Sequence, residues 1–122
     1  MLAKPTEAAR VYLGHGASGN AASMQPHVDG LRRRGIDATA VQLPKRKAEE
    51  AVDAYLGQVD GGRPLVIGGH SYGGRVASLL AARGTDLGDG RRIAGLILLS
   101  YPLHRPGAPE IGARSAHFAV IE

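Results

Sequence analysis

The chain has no cysteine and no tryptophan among its 122 residues, and aromatic residues make up only 4% of it. Without cysteine, disulfides, thiolate-bound metals and a thiol nucleophile are all excluded. Its core must therefore be assembled from Ala, Val, Leu and Ile. No apolar run approaches the ~20 residues that span a bilayer. Met1-Leu2-Ala3-Lys4-Pro5 lacks the apolar stretch of a secretory leader. The expectation is a cytoplasmic protein that works without a membrane.

What is there is ordinary for a globular chain, with 43% apolar and 21% charged residues. Its length fits a single domain, residues 1–122. The formal net charge of +4 raises the question of a nucleic-acid partner, and the cations do cluster at Arg32-Arg33-Arg34, Lys45-Arg46-Lys47 and Arg91-Arg92. The first cluster ends a predicted helix, where cations complement the backbone dipole. The others sit in loops with no aromatic residues interleaved for base stacking. A solvated surface is expected, and no nucleic acid.

Periodicity divides the chain into alternating strands and helices. Arg10–Leu13 reads as a short buried strand stopped by Gly14-His15-Gly16. A helix from Gln25-Pro26 to Gly35 has proline in its favoured first turn. Asp37–Leu43 reads as a second strand, closed by Pro44. Ala48, Ala51, Val52, Tyr55, Leu56 and Val59 then mark one face of a helix. Pro64–Gly68 and Ile93–Leu99 are unbroken apolar runs, as expected of parallel strands buried on both faces, and a helix over Tyr72–Arg83 joins them. Phe118–Ile121 looks like the start of a further strand. The order β-α-β-α-β-α-β predicts a three-layer αβα fold on a parallel sheet, with strand order 2-1-3-4.

The residues that carry chemistry lie at the ends of these strands. Gly69-His70-Ser71-Tyr72-Gly73 is a G-x-S-x-G directly after a buried strand and directly before a helix. A sharp strand-to-helix turn holds such a serine in a strained conformation with its hydroxyl exposed, and brings backbones too close for side chains on either side. Ser71 is the candidate nucleophile. Acyl transfer also needs two N–H donors for the oxyanion. Tyr72 N–H would supply one, and Ala17 N–H, in the loop after the first strand, the other. In the order 2-1-3-4 both loops meet at the switch point between the first and third strands.

A rival reading comes from Gly14-His15-Gly16-Ala17-Ser18-Gly19, which matches the dinucleotide-binding G-x-G-x-x-G. Pro26 places the helix start well past Gly19, and no acid ends the second strand to hold a ribose. Lys45-Arg46-Lys47 would suit a 2′-phosphate, so an NADP-binding enzyme is kept as the third reading.

At these residues the chain resembles the α/β-hydrolase superfamily. More narrowly, it is similar to small bacterial hydrolase-like proteins akin to a domain of a chromatin-complex subunit and of a testis-expressed protein. The resemblance rests on the His-Gly loop, the stretch Gly69–Ser78 and the turn Tyr101–Gly107. It implies the N-terminal part of a hydrolase fold, Ser71 as nucleophile, and the backbones of Tyr72 and Ala17 as oxyanion hole. It implies no cofactor and no metal, and a small-molecule ester-like substrate.

Hydrolases order their triad as serine, then acid, then histidine. After Ser71 the acids are Asp86, Asp89, Glu110 and Glu122, none directly after a clear strand, and the histidines are His104 and His117. His104 is expected on the pocket rim with His15 and His70, the last two hydrogen-bonding the backbone. His117 and His27 are expected at the surface. A C-terminally incomplete domain is expected, its fourth strand an apolar edge for a second copy or another chain to cover. The leading function is a serine hydrolase acting on a small ester, thioester or amide. The alternative is an inactive, hydrolase-like binding or scaffold module.

Overall fold

The computed structural model describes residues 8–101 and 114–121, built around a sheet of four parallel strands. β1 is Arg10–Gly14, β2 Asp37–Val41, β3 Leu65–His70 and β4 Ile93–Leu99, in the spatial order β2-β1-β3-β4. Three helices join them: α1 (Gln25–Arg33), α2 (Ala48–Leu56) and α3 (Tyr72–Ala82). The first crossover leaves β1 for β2 on one side, and the next returns past β1 to β3. Right-handed crossovers in opposite directions put their helices on opposite faces. Accordingly Val11, Leu13 and Ala38 pack with Met24 and Val28 on the α1 face. Tyr12, Val41, Leu65 and Ile67 pack under α2 and α3, against Tyr55, Val76 and Leu80.

The predicted elements are present, with shifts that have local causes. β2 stops at Val41, because Gln42 turns to other work: its backbone N–H donates to the Gln58 side chain at 2.9 Å. α2 ends at Leu56 rather than running through Val59, with Gly57 at its C-cap. β3 continues past Gly68 to His70, pairing Gly69 with Leu98 and His70 with Leu99. The expected strand at Phe118–Ile121 is a 3-10 turn over Ala116–Val120, held by Phe118 N–H to the Ser115 carbonyl at 2.9 Å. Four apolar residues are too few to separate strand from turn by period, and Phe118 instead packs its ring at a tilt against Tyr101 and edge-on to His117.

Tyr55 stands where α2 meets the sheet. Its fully buried hydroxyl lodges between β1 and β3, accepting from Gly68 N–H at 2.9 Å and lying 2.7 Å from the Gly68 carbonyl and 2.9 Å from that of Tyr12. Burial pushes its pKa well above the usual phenol value, so it remains a donor. Tyr55→Phe keeps the ring and strands these strand groups without their partner. It is expected to lower stability by about 1–3 kcal/mol, read from urea unfolding, with m unchanged.

His117, expected at the surface, is half-buried. Its Nε2 lies 2.8 Å from Oγ of Ser78, a side chain with no exposed area, and so ties the 114–121 turn to α3. Burial, then the Arg75 guanidinium, holds the imidazole below its ordinary pKa, with Glu49 opposing. The unfolded chain therefore takes up this proton at a higher pH than the native one. The contribution is complete above about 6.5, the ordinary histidine value, and is lost as pH falls from there through the native pKa. Lowering the pH from 7.5 to 5 should lower Tm, and His117→Gln should remove part of that slope, as differential scanning fluorimetry across pH would read.

Candidate functional site

The C-terminal ends of β1 and β3 form the centre of the site, at the point where the crossovers reverse direction. Ser71 follows β3 and is the N-cap of α3, with φ 51° and ψ −114°. A serine in that region carries roughly 1–3 kcal/mol of backbone strain. The turn is held by Ser71 N–H to the Leu99 carbonyl at 2.7 Å and by Arg75 N–H to the Ser71 carbonyl at 3.0 Å. Ser100, at φ 53°, takes the chain out of β4 one residue beyond the carbonyl that receives the elbow amide. No glycine marks that second turn, so no sequence signal pointed to it.

The glycines around Ser71 are there for close approach. A Cβ on Gly69 would lie 2.5 Å from the Gly14 carbonyl oxygen and 2.6 Å from the Gly73 carbonyl carbon. One on Gly73 would lie 2.3 Å from the Gly14 carbonyl and 2.7 Å from that of His15. The end of β1 thus packs directly on the first turn of α3, and the loop after β1 and the elbow share one end of the sheet. The His70 ring lies over that loop, its Nδ1 3.3 Å from where a Cβ on Gly16 would be.

His15, expected on the rim with His70, is buried at 2% exposure. Leu43 N–H donates to its Nε2 at 2.9 Å, so Nδ1 carries the proton and donates to the Gly16 carbonyl at 2.6 Å. The ring bonds the backbone as expected, and both nitrogens are used in bracing the loop against the end of β2. A residue so enclosed is a strut, not a rim. His70 is exposed, and no hydrogen bond joins its ring to the backbone among the described residues. His104 lies outside the described residues, as do Glu110 and Glu122.

Two further ties hold the same loops and had no sequence signal, because their partners are far apart along the chain. Gln42 Oε1 accepts from Ala21 N–H at 2.9 Å, fixing the far end of the loop after β1. The Tyr72 hydroxyl lies 2.7 Å from the Arg46 carbonyl and 3.1 Å from that of Pro44, pinning the β2–α2 loop to the elbow. Burial raises the Tyr72 pKa, which keeps it a donor.

Ala17 is exposed in its turn, and neither its N–H nor that of Tyr72 has a hydrogen-bond partner among the described residues. Tyr72 is the first residue of α3, where N–H groups lack an intrahelical acceptor. No described side chain hydrogen-bonds Ser71 Oγ. His117 engages Ser78, two helical turns further along α3. His27 is at the surface, on a groove of about 380 Å3 between α1 and β4 that is also lined by Leu13, Leu31, Ile97 and Leu99.

The dinucleotide pattern does not open a helix. Gly19 donates to the Gly16 carbonyl within the loop, a 3-10 turn spans Ala21–Met24, and α1 begins only at Gln25. The helix start sits away from the glycines, where a pyrophosphate would need it among them. Among the described residues no group of three or more His, Asp and Glu is placed to hold a metal ion, and no helix is long and apolar enough to cross a membrane.

No curated protein and no solved structure matches the chain. A family model described as an alpha/beta hydrolase domain matches residues 24–122, which takes in β2, β3, the elbow and β4. With the parallel sheet in the order β2-β1-β3-β4 and the strained serine between β3 and α3, the chain belongs to the alpha/beta hydrolase domain family.

Proposed function

We propose that the protein is a serine hydrolase that cleaves a small ester, thioester or amide through an acyl-enzyme on Ser71. The observation that carries this reading is the left-handed backbone of Ser71 at the strand–helix junction. The strain is maintained by glycines that admit no side chain, and such maintained strain is a mark of function.

In the proposed reaction Ser71 Oγ forms a bond to the substrate carbonyl carbon and gives up its proton. The N–H groups of Tyr72 and Ala17 hold the oxyanion, and the leaving group departs with a proton. Water then forms a bond to the acyl carbon, releases the acid and restores the serine. The helix dipole at the start of α3 favours the developing charge. Among the described residues no side chain hydrogen-bonds Ser71 Oγ to receive that proton.

That last point favours a second reading, a hydrolase-like binding module without turnover, because a serine hydroxyl with no base is a weak nucleophile at neutral pH. Pre-steady-state kinetics with a p-nitrophenyl ester separates the two. A burst of nitrophenol close to one per chain, followed by slower turnover, is the expected result. Release no faster than in buffer leaves the binding module.

A further inference from the structure

We propose that the Ser71 site selects substrates bearing a negatively charged group, which the loop Lys45-Arg46-Lys47 receives. The inference rests on the reading of Ser71 as the nucleophile and names the substrate class of that same site.

Lys45, Arg46 and Lys47 are all exposed and lie at the end of the sheet that holds Ser71, because they follow β2 and precede α2. The loop does not hang free. The side chain of Tyr72, the residue next to Ser71, reaches it and bonds the carbonyls of Arg46 and Pro44 at 2.7 and 3.1 Å. One tyrosine side chain therefore separates the backbone of Arg46 from the elbow.

The charges are also costly where they stand. Lys47 is the N-cap of α2, a position that favours acceptor side chains, and lysine offers no acceptor. Three cations before a helix N-terminus oppose its dipole, whereas Arg32 and Arg33 in the last turn of α1 complement theirs. Several other cations are matched. Arg10, Arg63, Arg83, Arg91 and Arg92 pair with carboxylates around the opposite end of the sheet, and Arg75 pairs with Glu49 at 2.9 Å. Lys45, Arg46 and Lys47 form no ion pair among the described residues. Glu49 and Glu50 in the first turn of α2 are the acids nearest along the chain, and Glu49 is already paired with Arg75, while the loops after β1 and β3, from His15 to Asn20 and at His70 and Ser71, add no acidic residue. Exposed cations that form no ion pair and are tethered to the nucleophile's neighbour are placed to meet an incoming negative charge.

The test compares rates of covalent labelling by three fluorophosphonates of equal length, ending in a methyl, a carboxylate or a phosphate group. In each, Ser71 oxygen bonds to phosphorus as the P–F bond breaks, fluoride leaves and the serine proton passes to water. At low salt the anionic probes should react roughly tenfold faster than the neutral one or more. High salt or Lys45→Glu/Arg46→Glu should bring that ratio to about one, and whichever anion is faster identifies the group the loop receives. Arg32→Glu/Arg33→Glu, an equal change of charge at the other end of α1, should leave the ratio above tenfold. Equal labelling by all three probes overturns the inference and leaves the hydrolase reading standing. A ratio that survives Lys45→Glu/Arg46→Glu overturns it as well. No labelling of Ser71 by any probe overturns the hydrolase reading and this inference with it.

Discussion

Gly73→Ala is expected to cost about 3 kcal/mol of stability or to prevent folding, although it adds a single methyl group. The new Cβ would sit 2.3 Å from the Gly14 carbonyl and 2.7 Å from that of His15. Both obstacles are backbone at the end of a strand paired on both sides, so neither can swing away as a side chain would. Overpacking of this kind typically costs 1–3 kcal/mol, and more where nothing yields. Gly30→Ala is the contrast. It lies within α1, and the atoms nearest a Cβ there are arginine side-chain ends at 3.7 and 3.8 Å. Helix propensity then dominates, and stability should rise by up to about 1 kcal/mol. Urea unfolding of the two variants checks both signs. A neutral Gly73→Ala would mean that β1 and α3 do not meet as described.

The second large effect is on reactivity. Ser71→Gly is expected to abolish burst and turnover, since loss of a serine nucleophile costs on the order of 10⁶ in kcat. The same variant should be no less stable than the parent. Glycine adopts φ 51° freely, which releases roughly 1–3 kcal/mol of strain, while its unfolded-state entropy takes back about 0.5–1 kcal/mol. A gain of about 1 kcal/mol with complete loss of reaction is the signature of strain held for chemistry. Ser71→Ala should lose reaction equally without the gain, because alanine keeps the Cβ that makes the conformation costly. A melting temperature that falls in Ser71→Gly would show that the hydroxyl is structural.

Much of this architecture could be read from residue order. Pro64–Gly68 and Ile93–Leu99 are continuous apolar runs bounded by turns, and the 3.6-residue period from Ala48 marks α2 without ambiguity. The elbow was legible for a different reason: its glycines, serine and flanking elements are all local. What escaped was non-local. His15 became a strut because Leu43, 28 residues on, offers its N–H. His117 is drawn half under because Ser78, 39 residues back, lies buried beneath it. The tether from Tyr72 to the loop at Arg46 depends on α2 and α3 lying side by side, which no period within either helix encodes. At Ala116–Val120 the sequence suggests a strand where the chain makes a 3-10 turn, because a short apolar run carries no period of its own.

The same distinction separates the functional reading from its remaining part. The nucleophile and the two amides are short-range features of strand ends. A triad base and acid come from loops after later strands and have to be found in space.

The central claim is that the residue at the junction of β3 and α3 is a covalent nucleophile. Incubating the full chain with a neutral fluorophosphonate, digesting it, and locating the added mass by tandem mass spectrometry tests this most directly. One adduct is expected, on Ser71, and none on Ser71→Gly. An adduct on any other residue, or an unmodified Ser71 in folded protein, would contradict it.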